Sequence, residues 1–303
     1  MRLGLLLSII LLLLAACGTS DDASIIHLSN LQSVPAAAPS EIIPLRISVA
    51  AVISPRGTAE SYQPLMDYLS QHLNRPVELV QRRTYAETNQ LVQDGEVDLA
   101  FVCTSAYVNG HDSFGMEIIA APQVHDAPVY YSLLIVPSSS AAQSMDDLRG
   151  KVFAFTDPIS HTGRVYPTYL VRQSGSTPEE FFARTFFTYN HDNAIRAVAE
   201  GLADGAAVDS LVYEFALERD PSLADSVRII HESPPFASPP IVVNPDIRPQ
   251  LRATLQDILF NMDKDPEGQH VLQTMGIERF VSIDDSAYDG IREIMEAAAP
   301  LTP

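Results

Sequence analysis

The chain has 303 residues, 46% hydrophobic and 19% charged, with 38 acidic against 19 basic side chains and a formal net charge of −19 at pH 7. That surplus of negative charge argues against nucleic acid or anionic lipid as a partner. With two cysteines and no Cys/His cluster of zinc-type spacing, the sequence carries no disulfide framework and no metal motif.

At the N-terminus, Arg2 precedes an apolar run from Leu3 to Leu14, too short to span a bilayer, which ends in Leu14-Ala15-Ala16-Cys17. Residues 1–16 read as a signal peptide. The small residues before Cys17 resemble a bacterial lipobox, which implies a diacylglycerol on the Cys17 thiol and a lipid anchor at the membrane. The expected location is the cell envelope, facing the periplasm or the cell exterior. Residues 17–44 are rich in Ser, Ala, Pro and Asp and read as a flexible tether.

From Leu45 onward the pattern alternates strands and helices. Arg46 to Ile53 reads as a buried strand, broken by Ser54-Pro55-Arg56-Gly57 before a helix from about Thr58 to Leu73, with Tyr62, Leu65, Met66 and Leu69 on its core face. A strand at Val77 to Gln81 follows, then a capping box Thr84-Tyr85-Ala86-Glu87 opening a helix to Gln93, then a strand at Val97 to Val102. This βαβαβ series implies parallel strands. Strands at Ile118 to Ala121 and Tyr130 to Val136 lead into a second series. Its strands are expected at Val152 to Phe155, Phe186 to Thr188, Gly205 to Val208 and Val227 to His231. Its helices are expected near Thr162 to Ser174, Pro178 to Arg184, Asn193 to Gly201 and Val212 to Arg219. Ile241 to Val243 is extended again. Helices near Pro249 to Lys264, Pro266 to Met275 and Tyr288 to Ala298 finish the chain.

The reading is α/β, with two αβ lobes crossed near residues 132 and 237 and a ligand cleft between them. Lobe 1 takes residues 45–132 and 237–303, and lobe 2 takes 133–236. Strand C-termini and helix N-termini converge at such a cleft. No GxGxxG or GxxxxGK[ST] supports a nucleotide.

The segment Phe153 to Gly163 carries the most chemistry: a strand, a turn, then Ser160-His161-Thr162 at a helix start. Free N–H groups and about half a unit of positive charge favour an oxyanion there. The same hydroxyls are also ordinary helix caps. A hydrolase reading, with Ser160, His161 and Asp157 as a triad, fails on placement, because adjacent residues at a helix start do not face one another as nucleophile, base and orienter.

The chain resembles the periplasmic phosphonate/phosphite-binding proteins of ABC importers, the PhnD-like family. The likeness runs in one order through Tyr62-Gln63-Pro64-Leu65-Met66, Gly95-Glu96-Val97-Asp98-Leu99-Ala100-Phe101, Asp147-Leu148-Arg149-Gly150-Lys151 and Asp157-Pro158-Ile159-Ser160. It continues in His191-Asp192, Ala207-Val208-Asp209-Ser210, Glu232-Ser233-Pro234-Pro235, Pro239-Pro240-Ile241-Val242-Val243 and Asp284-Asp285-Ser286-Ala287-Tyr288.

The resemblance implies a class II periplasmic-binding fold and a binding component, not an enzyme. It implies a phosphonate, phosphite or related oxyanion as ligand, an ABC permease as partner and no cofactor. The phosphonate group is expected on Ser160, His161 and Thr162, where imidazole replaces a middle hydroxyl of the family turn. His191 is expected as a donor and Asp209 as a cleft acid. Tyr85 and Tyr130 are candidate aromatic walls. Cys103 stands where the commoner pattern has Gly, either as a small buried hydrophobe or as a thiol ligand. The thiol reading supports an alternative: a periplasmic sensor of arsenite type that signals to a membrane kinase.

Overall fold

The computed structural model describes residues 43–124 and 126–299. The expected signal peptide, Cys17 and the tether up to residue 42 lie outside the described residues. Among those described, no helix is long and apolar enough to cross a membrane.

The first strand, Leu45–Val49 (β1), buries Leu45, Ile47 and Val49 and pairs in parallel with Val77–Val80 (β2) and Leu99–Phe101 (β3). The parallel βαβαβ start is therefore present. The helix after β1 runs from Pro55 to Leu73, three residues earlier than its sequence signals suggest. The reason is that proline at the first helical position brings a preset φ and lacks only an N–H that would be unpaired there anyway. The next helix, Tyr85–Gln93, begins at a reciprocal capping box: the Glu87 N–H donates to Thr84 Oγ1 at 3.2 Å and the Thr84 N–H to Glu87 Oε2 at 2.9 Å.

A helix absent from the sequence reading, Thr104–Phe114, follows Cys103 directly. Its buried face is made of Thr104, Ser105, Ala106, Tyr107 and Val108, small and mixed residues that show no clear helical stripe. Glu117–Gln123 (β4) then joins the same sheet. The predicted single strand at 130–136 divides at Tyr131 into Val129–Tyr130 (β5) and Ser132–Pro137 (β6), because here the chain leaves one sheet and enters another.

Beside β6 stand Val152–Phe155 (β7), Arg184–Phe187 (β8), Gly205–Asp209 (β9) and Val227–Glu232 (β10), in the order β10-β6-β9-β7-β8. The return passes through Phe236–Ala237 (β11), antiparallel to β5, so the two connections run side by side as a small ladder. Ile241–Val243 (β12) and Arg279–Val281 (β13) complete the six-stranded sheet, β13-β4-β12-β3-β1-β2.

The molecule is thus a two-lobed α/β protein. Leu45, Ile47, Leu65, Leu69 and Leu99 lie in the core of the six-stranded lobe, and Val136, Phe153, Phe155 and Phe181 in that of the five-stranded lobe. Each such side chain contributes about 1.5–3 kcal/mol when fully buried. These cores hold two rigid edges facing each other, and the functional residues stand on the edges.

Candidate anion turn and chamber between the lobes

β7 ends at Phe155, and the turn beyond it is shaped by Asp157, whose Oδ1 accepts the Ile159 N–H at 2.9 Å. The helix then opens with a wide π turn, His161–Val165, before its regular part, Tyr166–Gln173. Gly163 is required in this turn. A Cβ on it would lie 1.8 Å from Thr156 Oγ1, so any side chain would push the turn off the strand end.

Ser160 is the cap of this helix: its Oγ accepts the Gly163 N–H at 3.1 Å. The same oxygen lies 3.4 Å from His191 Nε2. His191 Nδ1 accepts the Asp209 N–H at 3.0 Å, so the neutral ring carries its proton on Nε2 and donates it to Ser160. With both acceptor positions of Ser160 Oγ in use, its own hydroxyl hydrogen is left to donate, and the Tyr85 phenol oxygen stands beside it. His191 cannot act as a base toward Ser160 in this tautomer, and no nucleophile is activated here.

Four buried polar atoms at the turn and the facing helix have no hydrogen-bond partner among the described residues: Thr156 Oγ1, His161 Nε2, Thr162 Oγ1 and the Tyr85 hydroxyl. Tyr85 stands at the start of its helix with its phenol beside Ser160. Leaving one such group unpaired costs about 1–3 kcal/mol, so a cluster of them marks a place shaped for another molecule's polar atoms. His161 is otherwise well held. Its N–H donates to Cys103 Sγ at 3.3 Å, its Nδ1 lies 3.1 Å from Ser105 Oγ, and its ring meets Phe236 edge-on with centroids 4.4 Å apart.

The buried imidazoles bring no fixed charge to the site. Burial depresses both His161 and His191 to about 3, so both rings are neutral at ordinary pH. Burial raises Asp209 to about 7, even though the Leu211 and Val212 N–H groups donate to it as the cap of the helix Ser210–Arg219. Asp157 is also raised by burial, against the opposing pull of the Ile159 and Tyr85 N–H groups.

Cys103 and Tyr130 complete the set. Burial pushes the Cys103 thiol up to about 11, and the residue is 5% exposed. It occupies the N-cap position of Thr104–Phe114. The Tyr130 hydroxyl is satisfied by Thr104 Oγ1 at 2.6 Å, and its ring packs beside Phe236.

Next to the turn is a chamber of about 230 Å³. Cys103, His191 and Asp209 form its polar end, while Val52, Tyr62, Phe101, Val212, Met275 and Ile277 supply apolar wall. Tyr62 meets Phe101 edge-on with centroids 5.1 Å apart. The sequence placed Tyr62 on a helix core face, and its helical spacing is indeed the same as that of Leu65 and Leu69. Only the position of that helix end at the cleft separates the roles.

Over residues 47–288 the chain matches the family described as ABC transporter, phosphonate, periplasmic substrate-binding protein. The chain belongs to this family. As a transport binding protein it falls in no enzyme class. It is 26% identical to the phosphate-import protein PhnD of Mycolicibacterium smegmatis, over 94% of this chain and 92% of that one. The fold is shared with a binding component of an ABC phosphonate transporter from Pseudomonas aeruginosa, at a TM-score of 0.78 and 24% identity over 83% of this chain and 85% of that one. It is also shared with PhnD1 of Prochlorococcus marinus, solved in complex with methylphosphonate, at a TM-score of 0.74 and 20% identity over 83% and 97% of the two chains.

The alternative reading as an arsenite-type sensor finds no support. The matched family and curated relative belong to import systems. The Cys103 thiol is held neutral and occupied as an acceptor of the His161 N–H, which leaves a soft metalloid no thiolate.

Proposed function

We propose that this binding protein captures a phosphorus oxyanion on the turn at Ser160, His161 and Thr162 and presents it to an ABC permease. The observation that carries the reading is the trio of buried polar atoms, His161 Nε2, Thr162 Oγ1 and the Tyr85 hydroxyl, gathered about the Ser160 hydroxyl. Those groups supply neutral donors. Asp209, shifted to about 7, is able to share a proton with a P–O oxygen where an ionised carboxylate would repel it. His191 sets the direction of the Ser160 hydroxyl. Cys103 and Tyr130 support the turn and the hinge side of the site.

Lobe 1, residues 45–132 and 237–303, closes on lobe 2, residues 133–236, about the β5/β11 ladder. Contacts across the cleft favour the closed form, as the oxyanion would. The chain is held to the membrane by a lipid on Cys17 after removal of residues 1–16, which leaves it in the envelope on the outer side of the permease. Replacement of Cys17 by Ser is expected to release the protein into the soluble fraction.

Isothermal calorimetry with methylphosphonate, phosphite, phosphate and sulfate tests the ligand class. Saturable heat with the phosphorus oxyanions and little with sulfate is the expected result. No heat with any phosphorus oxyanion overturns the reading.

A further inference from the structure

The anion turn accounts for one end of the site, whereas the chamber beside it has a different chemistry. Its volume of about 230 Å³ exceeds what an inorganic oxyanion and one or two waters would fill. For scale, an engineered cavity of about 150 Å³ lined by Leu, Ile and Phe stays dry and binds benzene. Both lobes furnish the apolar wall: Val52, Tyr62, Phe101 and Ile277 from the six-stranded side, Val212 and Phe215 from the five-stranded side. Among the described residues that line it none is Lys or Arg, and of its three carboxylates Asp209 is buried while Glu214 and Glu218 belong to the exposed part of the rim.

The chamber and the turn are neighbours through one ring. His191 lines the chamber, and its Nε2 is 3.4 Å from Ser160 Oγ at the cap of the anion turn. A group bonded to a phosphorus seated on that turn therefore has its way into the chamber past His191 and Asp209.

We propose that the chamber receives the carbon substituent of the ligand, and that the preferred ligand class is a phosphonate with an apolar group of about phenyl size. This rests on the proposed function, since it assigns the phosphonate head to the Ser160 turn. Inorganic phosphate and phosphite leave the apolar wall in water. Each methylene brought into contact with the wall adds roughly fourfold in affinity until the chamber is full. Because wall residues come from both lobes, the substituent also favours closure, so selectivity should appear mainly in the dissociation rate.

The test is a calorimetric and thermal-shift series with phosphate, phosphite, methylphosphonate, butylphosphonate, phenylphosphonate and 2-aminoethylphosphonate. It is run on the native protein and on two chamber-filling variants, Val212→Phe and Ile277→Phe, which approach from opposite lobes. Phenylphosphonate or butylphosphonate is expected to bind at least tenfold more tightly than methylphosphonate. In either folded variant the ratio of the phenylphosphonate to the methylphosphonate affinity should fall to within about twofold of one.

Methylphosphonate or phosphite binding as tightly as phenylphosphonate overturns the inference and leaves the phosphorus-oxyanion reading standing. Tightest binding of 2-aminoethylphosphonate also overturns it, and assigns the acidic rim to an ammonium instead. Failure of every phosphorus ligand removes both. Thermal melts of the two variants identify a filler that fails to fold, and the ligand series on the native protein decides the matter without them.

Discussion

His191 Nδ1 accepts the backbone N–H of Asp209 at 3.0 Å, which fixes the proton of a fully buried, neutral imidazole on Nε2, 3.4 Å from Ser160 Oγ. The strand end that carries Asp209 thus sets which hydrogen Ser160 offers. In ¹⁵N-resolved spectra His191 is expected as the Nε2–H tautomer, with no titration from pH 8 down to about pH 4, since burial holds it at about 3. A ring that titrates near its ordinary 6.5 would remove this account.

Thr162 separates binding from folding. Its hydroxyl is buried and partnerless, so Thr162→Val, which keeps the shape, is expected to leave the melting temperature unchanged or slightly higher. The same change should weaken methylphosphonate by about 10- to 150-fold, the range for a hydrogen bond to a charged group. Ser160→Ala behaves differently, because Ser160 also caps the helix. It is expected to cost about 0.5–2 kcal/mol of stability together with its loss in affinity. Equal affinity in native protein and Thr162→Val would return that hydroxyl to bystander status.

Much of this was legible beforehand, and the parts that were not share a physical reason. Alternating apolar strands and the Thr84–Glu87 box are local signals, so β1, β2 and the helix they frame follow from short windows of sequence. The Ser160-His161-Thr162 turn is local too. The helix Thr104–Phe114 was missed because its exposed stripe is only Asn109, Asp112 and Ser113 and its buried first turns carry Thr104 and Ser105 where large apolar residues would mark a core face, and β13 because Phe280 is its one fully buried residue, whereas all three residues of β12 are apolar and buried. Tyr62 and Phe101 as chamber wall depend on the opposite lobe. No spacing within one segment encodes that.

Closure is the property most exposed to mutation at a distance from the anion. The Asp157 carboxylate reaches across the cleft to accept the Tyr85 N–H at 3.0 Å, both Asp192 oxygens accept the Ser54 N–H at 3.1 Å, and the His191 N–H donates to Val52 O at 2.8 Å. The Arg83 guanidinium also lies over the Tyr189 ring at 4.7 Å. Asp192→Ala is expected to increase the radius of gyration in small-angle scattering without ligand, and to weaken methylphosphonate severalfold through the smaller closed population. An unchanged scattering curve with weakened binding would count against hinge closure.

Three buried groups with large shifts act on the pH dependence of stability, beside Asp157, which burial also raises. His161 and His191 are held at about 3 against an ordinary 6.5, so the unfolded chain takes up two protons in that window that the native state refuses. Stability from these rings is full above pH 6.5 and is lost as pH falls toward 3. Asp209, raised to about 7 from 3.8, acts in the opposite sense: the native state keeps a proton that the unfolded state releases, so stability falls as pH rises from 3.8 to 7. Taken by themselves, these three groups set two protons against one, a slope of about 1.4 kcal/mol per pH unit between about pH 4 and 6.5 that favours the higher pH. Asp209→Asn retains an oxygen for the Leu211 and Val212 N–H groups but removes the opposing titration. Urea unfolding across this range should therefore give a slope about twice as steep in Asp209→Asn. Parallel curves for the two proteins would show that Asp209 is ionised in the native state, and would withdraw its role as a shared-proton partner for the oxyanion.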